Sequence, residues 1–204
     1  MDYIYNTCFF ERYAKFTLED QLGSRYANLV NADRPDLQDI EHGIGIEVTR
    51  AIAENKNVAH ELINIMAGEE VAEVDNYAYG TQRTESEAER RYWSLALPMR
   101  RIIANKVAKV ANGFYGDFNR FGLFIFTKEI LKNNDIEAII RYTDALQYPG
   151  NRSYSHLYIS HVHDLFVCDL TLGTFRRYPI SEEQNHKYYT GALAADKTNR
   201  NPNE

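Results

Sequence analysis

Arg34-Pro35-Asp36-Leu37-Gln38-Asp39-Ile40, then Ile44-Gly45-Ile46-Glu47-Val48-Thr49-Arg50-Ala51, is the stretch from which the fold can be read. Residues 35–40 and 44–51 both read as strands, and the short polar stretch 38–43, closed by Gly43, reads as a hairpin connection. Alternation in the second strand puts Ile44, Ile46 and Val48 on one face and Gly45, Glu47 and Thr49 on the other. Asp36 stands where the first strand begins and Glu47 lies inside the second. A hairpin therefore delivers two carboxylates to one point. Mg²⁺ is bound in this way, through one or two carboxylates, while it keeps waters for substrate phosphates. Pro-Asp is also a common turn dipeptide, so the plain alternative is two exposed acids beside a turn.

Upstream, Phe10, Tyr13, Ala14, Thr17, Leu18 and Leu22 recur at helical spacing and predict a helix over 6–22, with Gly23 as its C-terminal stop. Residues 25–32 read as a strand. Downstream, 52–97 turns helical and polar and is expected to be an insertion with its own helices. Pro98 opens a helix over 98–111 with Ile102, Ile103, Val107 and Val110 as its buried stripe. Gly122-Leu123-Phe124-Ile125-Phe126 is a short continuous apolar run, the pattern of a strand buried on both faces. Asn134 or Asp135 caps a helix to Leu146. Strands follow at 156–160 and 165–169, with an edge strand at 174–178. The tail, about 187–204, is polar and expected to fray. The whole predicts a single α/β (α+β) domain over 1–204, a central mixed β-sheet flanked by helices.

Bulk properties narrow the function classes. With 204 residues, 44% of them apolar and 13% aromatic, the chain can bury a real core. The formal net charge is −6, which weighs against a nucleic-acid binder in the sum but not at a local site. Cys8 and Cys168 give neither a disulfide framework nor a zinc site. Both sit among apolar neighbours and are expected to pack as small hydrophobes. No basic segment followed by an apolar one opens the chain, and no run approaches the ~20 apolar residues of a membrane span. The expected compartment is cytoplasmic, with no membrane partner.

The order Asp36 … Glu47-Val48-Thr49 resembles the PD-(D/E)xK nuclease superfamily, with its restriction-endonuclease-like fold. That resemblance implies a metal-dependent nuclease. Asp36 and Glu47 would hold Mg²⁺ or Mn²⁺ with help from the Val48 backbone carbonyl. Many members aim a glutamate of the first helix at the metal, and Glu11 stands in that place. Its plain alternative is a boundary residue paired with Lys15 at i+4. The family lysine falls two residues after the second acid, where this chain has Thr49. Threonine can hydrogen-bond a water but supplies no charge. A cation can come from a neighbouring helix instead, and Lys106 and Lys109, three apart on 98–111, are the candidates.

Arg100, Arg101, Lys106, Lys109 and Arg120, with Phe114, Tyr115 and Phe118 among them, make 98–120 the most basic window of the chain. Basic side chains neutralise phosphates and aromatic ones stack on unpaired bases. Arg100, Arg101, Lys106, Lys109, Tyr115 and Arg120 are thus the candidate nucleic-acid contacts, unless the helix simply has an apolar face and a solvated basic one. DNA is the expected partner, with RNA second; a homodimer is compatible with a nuclease that cuts both strands. His161-Val162-His163 falls between two strands and reads as a turn rather than a metal site, and His42 as a hairpin residue. The competing reading is a nuclease-like fold without catalysis, acting as a binding or interaction module.

Overall fold

A computed structural model describes residues 7–51, 62–69 and 86–198. Helix α1 (Thr7–Leu22) leads into a 3₁₀ turn at Gly23–Tyr26. Next come β1 (Val30–Asn31), β2 (Leu37–Asp39) and β3 (Ile44–Arg50). Helix α2 (Leu97–Ala111), β4 (Arg120–Phe126), α3 (Asn133–Leu146), β5 (His156–Ser160), β6 (Asp164–Asp169), β7 (Thr174–Pro179) and α4 (Glu182–Thr198) follow. The fold is α/β, a seven-stranded mixed sheet flanked by helices, with the strands side by side in sequence order.

Only the β3–β4 and β4–β5 joints are parallel; the other four are antiparallel. A parallel joint needs a crossover, and crossovers are right-handed. Because β3, β4 and β5 advance in one direction across the sheet, both crossover helices fall on the same face. Helices α2 and α3 accordingly cover one core with Leu123, Ile125, Leu157 and Ile159. The terminal helices α1 and α4 cover the other with Ile44, Ile46, Phe124, Phe126 and Tyr158. Strand β4 lies at the centre, and its residues 121–126 are all buried, as the unbroken apolar run predicts.

The predicted stripe of α2 is present: Ile103, Val107 and Val110 are buried and Ile102 packs against them. Pro98 sits in the first turn of α2, as expected, but helical backbone already precedes it. A turn at Glu87–Arg91 and a π turn at Tyr92–Ala96 precede α2 without a break, and the Leu97 N–H donates to the Tyr92 carbonyl. Proline removes a helical donor and crowds the carbonyl four residues back, and the wider π turn just before it accommodates both effects. The expected insertion at 52–97 is helical over 62–66 and 87–97; the remainder of it lies outside the described residues.

Three other expectations are corrected. The strand at 25–32 shrinks to Val30–Asn31, because Gly23, at φ 78°, turns the chain and Tyr26 tucks inward to bond the Tyr158 hydroxyl at 2.8 Å. Helix α3 starts at Asn133, so neither Asn134 nor Asp135 is the N-cap. Asp135 serves from the first turn, accepting the Lys132 N–H at 2.7 Å. The tail expected to fray from 187 is helical through Thr198. Tyr188 and Ala192 of α4 are fully buried on the α1 side. The Tyr188 hydroxyl donates to Asp20 at 2.6 Å, and Tyr13 donates to Asn185 at 2.5 Å.

Cys168 is buried, and burial pushes its thiol well above the ordinary range, as for a small hydrophobe; the Cys8 side chain lies outside those described. No helix among the described residues is long and apolar enough to cross a membrane.

Tyr188→Ala is expected to cost about 3 kcal/mol through the lost ring volume and the lost hydrogen bond to Asp20. Urea unfolding followed by far-ultraviolet circular dichroism measures it, and a midpoint equal to wild type would refute the docking of α4 on α1.

Candidate active site

The last β2–β3 pair is Leu37 opposite Ile46. One step further along the two antiparallel strands, Asp36 faces Glu47. Asp36 Oδ2 accepts the Val48 N–H at 2.7 Å and so is tied to β3 just past the paired register. In an extended strand the N–H and C=O of one residue leave on the same side. The Val48 carbonyl therefore points to the side where Asp36 stands. Gly45 keeps this part of β3 accessible to a close neighbour: a Cβ there would meet the Phe118 ring at 2.6 Å.

Glu47 projects toward α2 and is 7% exposed. A carboxylate this deep needs a partner, and Lys106 supplies it: the ammonium pairs with Glu47 Oε1, with both side chains largely buried. Of the two candidate lysines, Lys106 is thus the one at the carboxylates. Lys109, less than a turn on, lies over the exposed ring of Phe114 at 5.1 Å from its centroid. Thr49 shares the Glu47 face of β3 and is partly buried opposite Ile125.

Asp36 is shifted up to about 6. Burial is the largest cause, followed by the Glu47 charge; the Val48 N–H and Lys106 oppose the rise. Glu11, half-buried on α1, is also raised, chiefly by burial and in smaller part by Glu47. Its partner is Asn31, whose amide donates to Oε2 at 3.0 Å. The three acids share one field. Yet among the described residues no three His, Cys, Asp or Glu side chains are gathered as a metal cage. Asp36 and Glu47 are the pair, and Glu11 stands beside it on the Asn31 amide.

Two tyrosines complete the surroundings. Tyr115 and Tyr154 are 4% and 2% exposed, and neither hydroxyl reaches hydrogen-bond geometry with a partner among the described residues. Burial, with the Glu47 charge adding to it, raises both phenols, so both keep their protons at neutral pH. Both are phenol donors close to a buried carboxylate, and Glu47 and the neighbouring phenol are the groups they face. Tyr154 carries no sequence signal. It lies in a loop fixed by Gln147, which accepts the Tyr154 N–H at 2.6 Å and donates to its carbonyl at 3.2 Å.

No family model matches this chain, and no curated protein or solved structure matches it. The site therefore stands on its own geometry.

That geometry corrects two of the nucleic-acid contacts. Tyr115 is buried against Phe121 and cannot offer its face to a base. Arg120 is engaged inside the protein: its Nη2 donates to His156 Nε2 at 2.6 Å, and its guanidinium lies 5.9 Å from the Tyr26 ring. Burial and Arg120 hold His156 down to about 4, so the ring is neutral. Guanidinium only donates, which makes Nε2 the acceptor and leaves the proton on Nδ1 for Ser155 Oγ, 2.9 Å away. Arg100 is exposed over Tyr142, and Arg101 is exposed farther along α2. His161 and His163 flank a turn at Val162, as expected, and His42 bonds Asp39 at 2.8 Å within the hairpin.

Two outcomes test this geometry. The folded carboxyl of Asp36 titrates near 6, above the 3.8 of an unperturbed aspartate. Between those values the folded chain holds the extra proton. Asp36 therefore contributes stability that is complete below about pH 4 and lost as pH rises through about 6. Thermal melts across that range should show Asp36→Asn flattening the profile and exceeding wild type at pH 7; parallel profiles would reject the buried acid. Separately, Lys106→Met should cost about 3 kcal/mol by leaving Glu47 uncompensated. Lys106→Met combined with Glu47→Gln should recover most of that loss in the same urea assay.

Proposed function

We propose that the chain is a metal-dependent phosphodiesterase that hydrolyses DNA, with RNA as the second candidate substrate. The observation that carries this reading is the pairing of a largely buried lysine from α2 with Glu47 of β3, beside Asp36 in the bend that leads into β2. Asp36 and Glu47 are hard oxygen donors pressed together against their own repulsion. Burial first and the Glu47 charge second raise Asp36, and a divalent cation would favour its ionised form. The Val48 carbonyl offers a third oxygen on the same side. A bound Mg²⁺ or Mn²⁺ would polarise a phosphoryl oxygen and lower the pKa of a coordinated water.

The chain's own groups would do the rest. Lys106 supplies the positive charge that Thr49 cannot, and it orients Glu47 through their ion pair. Glu11, held by Asn31, offers an acceptor at the margin for a water proton. The element order of helix, three strands, helix and strand is compatible with the PD-(D/E)xK resemblance, although many folds share it.

A nuclease-like fold without catalysis is the second reading. It is favoured by the fact that Lys106 already neutralises Glu47 and that no three-ligand group is gathered among the described residues. In that case the domain binds nucleic acid or a protein and cuts neither.

Calorimetric titration of Mg²⁺ and Mn²⁺ into wild type and Asp36→Ala separates the two, together with cleavage assays on single- and double-stranded DNA and on RNA. The enzyme reading expects metal binding that is lost in Asp36→Ala and strengthens as pH rises through about 6. It also expects cleavage that falls by about 10²-fold or more in Lys106→Met. Wild type without metal binding would sink the catalytic reading.

A further inference from the structure

Lys109, released from a catalytic part, belongs to a second grouping. Phe114 is 44% exposed. Its ring collects two cations: Lys109 Nζ at 5.1 Å and Arg34 Cζ at 4.9 Å from the centroid. The ring is fixed by its backbone, since the Phe114 N–H donates to the Lys109 carbonyl at 3.1 Å and folds the loop back on the end of α2. Arg34 is also set by its backbone. It holds φ 61°, a left-handed conformation uncommon for a residue with a side chain. Strain of this kind persists where surrounding structure imposes it, commonly at functional sites. Asp33, 3.5 Å from Arg34 Nε, is a well-exposed neighbour and a weak partner.

Chain connectivity ties the grouping to the carboxylates. Arg34 is two residues from Asp36, a span of at most ~7 Å. Phe114 directly precedes Tyr115, which lies beside Glu47. Two exposed cations thus flank an exposed aromatic ring at the rim of a site whose own charge is acidic. Cations on an aromatic ring lose little by also meeting a phosphate, and the ring's remaining surface suits an unpaired base. An acidic peptide would meet the same cations but has no base to lie on the exposed face of Phe114.

We infer that Arg34, Lys109 and Phe114 form a clamp for the sugar-phosphate backbone of a single strand running past Asp36 and Glu47, so that the substrate is a polynucleotide and not a small phosphodiester. This rests on the proposed function in taking the two carboxylates as a phosphate-handling site. The clamp itself works without metal or catalysis.

The test is binding of a short fluorescein-labelled single-stranded oligonucleotide, followed by anisotropy in EDTA over a range of salt. Arg34→Gln combined with Lys109→Gln should weaken binding about tenfold or more at low salt. It should also lower the slope of log affinity against log salt by about 1.4, two phosphate contacts at about 0.7 each. Arg34→Lys with Lys109→Arg should keep the slope, which separates charge from fold. Phe114→Ala should weaken binding and leave the melting temperature within about a degree or two, as for an exposed side chain. The clamp is overturned if the slope is unchanged in the Gln pair, if wild type binds no oligonucleotide at low salt, or if polyglutamate or a nucleoside triphosphate displaces the strand at equal phosphate or carboxylate concentration. Should the slope fall as expected while wild type binds no Mg²⁺ or Mn²⁺, the clamp stands and the catalytic reading falls.

Discussion

The parallel run β3–β4–β5 is the constraint on which the rest depends. Parallel strands cannot be joined by tight turns, so the chain must leave the sheet and return twice. Both returns are right-handed, and both therefore deposit a helix on one face. This puts α2 directly over β3, where Lys106 meets Glu47. The same constraint leaves the opposite face bare, and the two ends of the chain fill it. The antiparallel β2–β3 hairpin then adds Asp36 from the side. The site is a product of topology: one acid from an antiparallel neighbour, one from the first parallel strand, and a cation from the helix that the first crossover requires.

The electrostatics follow from that placement. Two carboxylates lie side by side, Glu47 buried and Asp36 half-buried, and one of them is paired with a cation. Glu47 holds Lys106, and Asp36 holds a backbone N–H. A hydrogen bond from a neutral amide offsets less than an ammonium does, and burial together with the Glu47 charge holds the Asp36 carboxyl above its ordinary range. Tyr115 and Tyr154 add donors without charge. The Glu47 side of the sheet thus gathers acids, one ammonium and phenol donors, while on the other side Arg120 and His156 bond each other.

Much of this was legible in the residues, because hydrophobic alternation and turn chemistry are local. The alternation of Ile44 to Thr49 places Glu47 on its correct face, and the unbroken apolar run at 122–126 marks the central strand. What remained illegible depended on packing. Lys106 and Lys109 differ by about 60° on the helix wheel, and only the seating of α2 on β3 decides which reaches Glu47. Tyr154 belongs to a loop, with no period to reveal it. The last helix was hidden by its composition: Tyr188 and Ala192, one turn apart, carry its contact among polar neighbours. Arg120 and Tyr115 show the converse. Charge and aromaticity marked them as surface contacts, and tertiary structure turned both inward.

The docking of α4 on α1 has a consequence for the order in which a cell can finish this protein. The two helices come from opposite ends of the described chain, and Tyr13 and Asn185 are 172 residues apart. During translation α1 leaves the ribosome well before its cover. Its apolar face, with Phe9, Phe10 and Tyr13, must wait while the sheet and both crossover helices are made. Such exposed surface invites chaperones or aggregation. The helix that carries Glu11 is locked down only once α4 is made, so a chain cut before α4 would hold Asp36 and Glu47 and still lack a firm first helix.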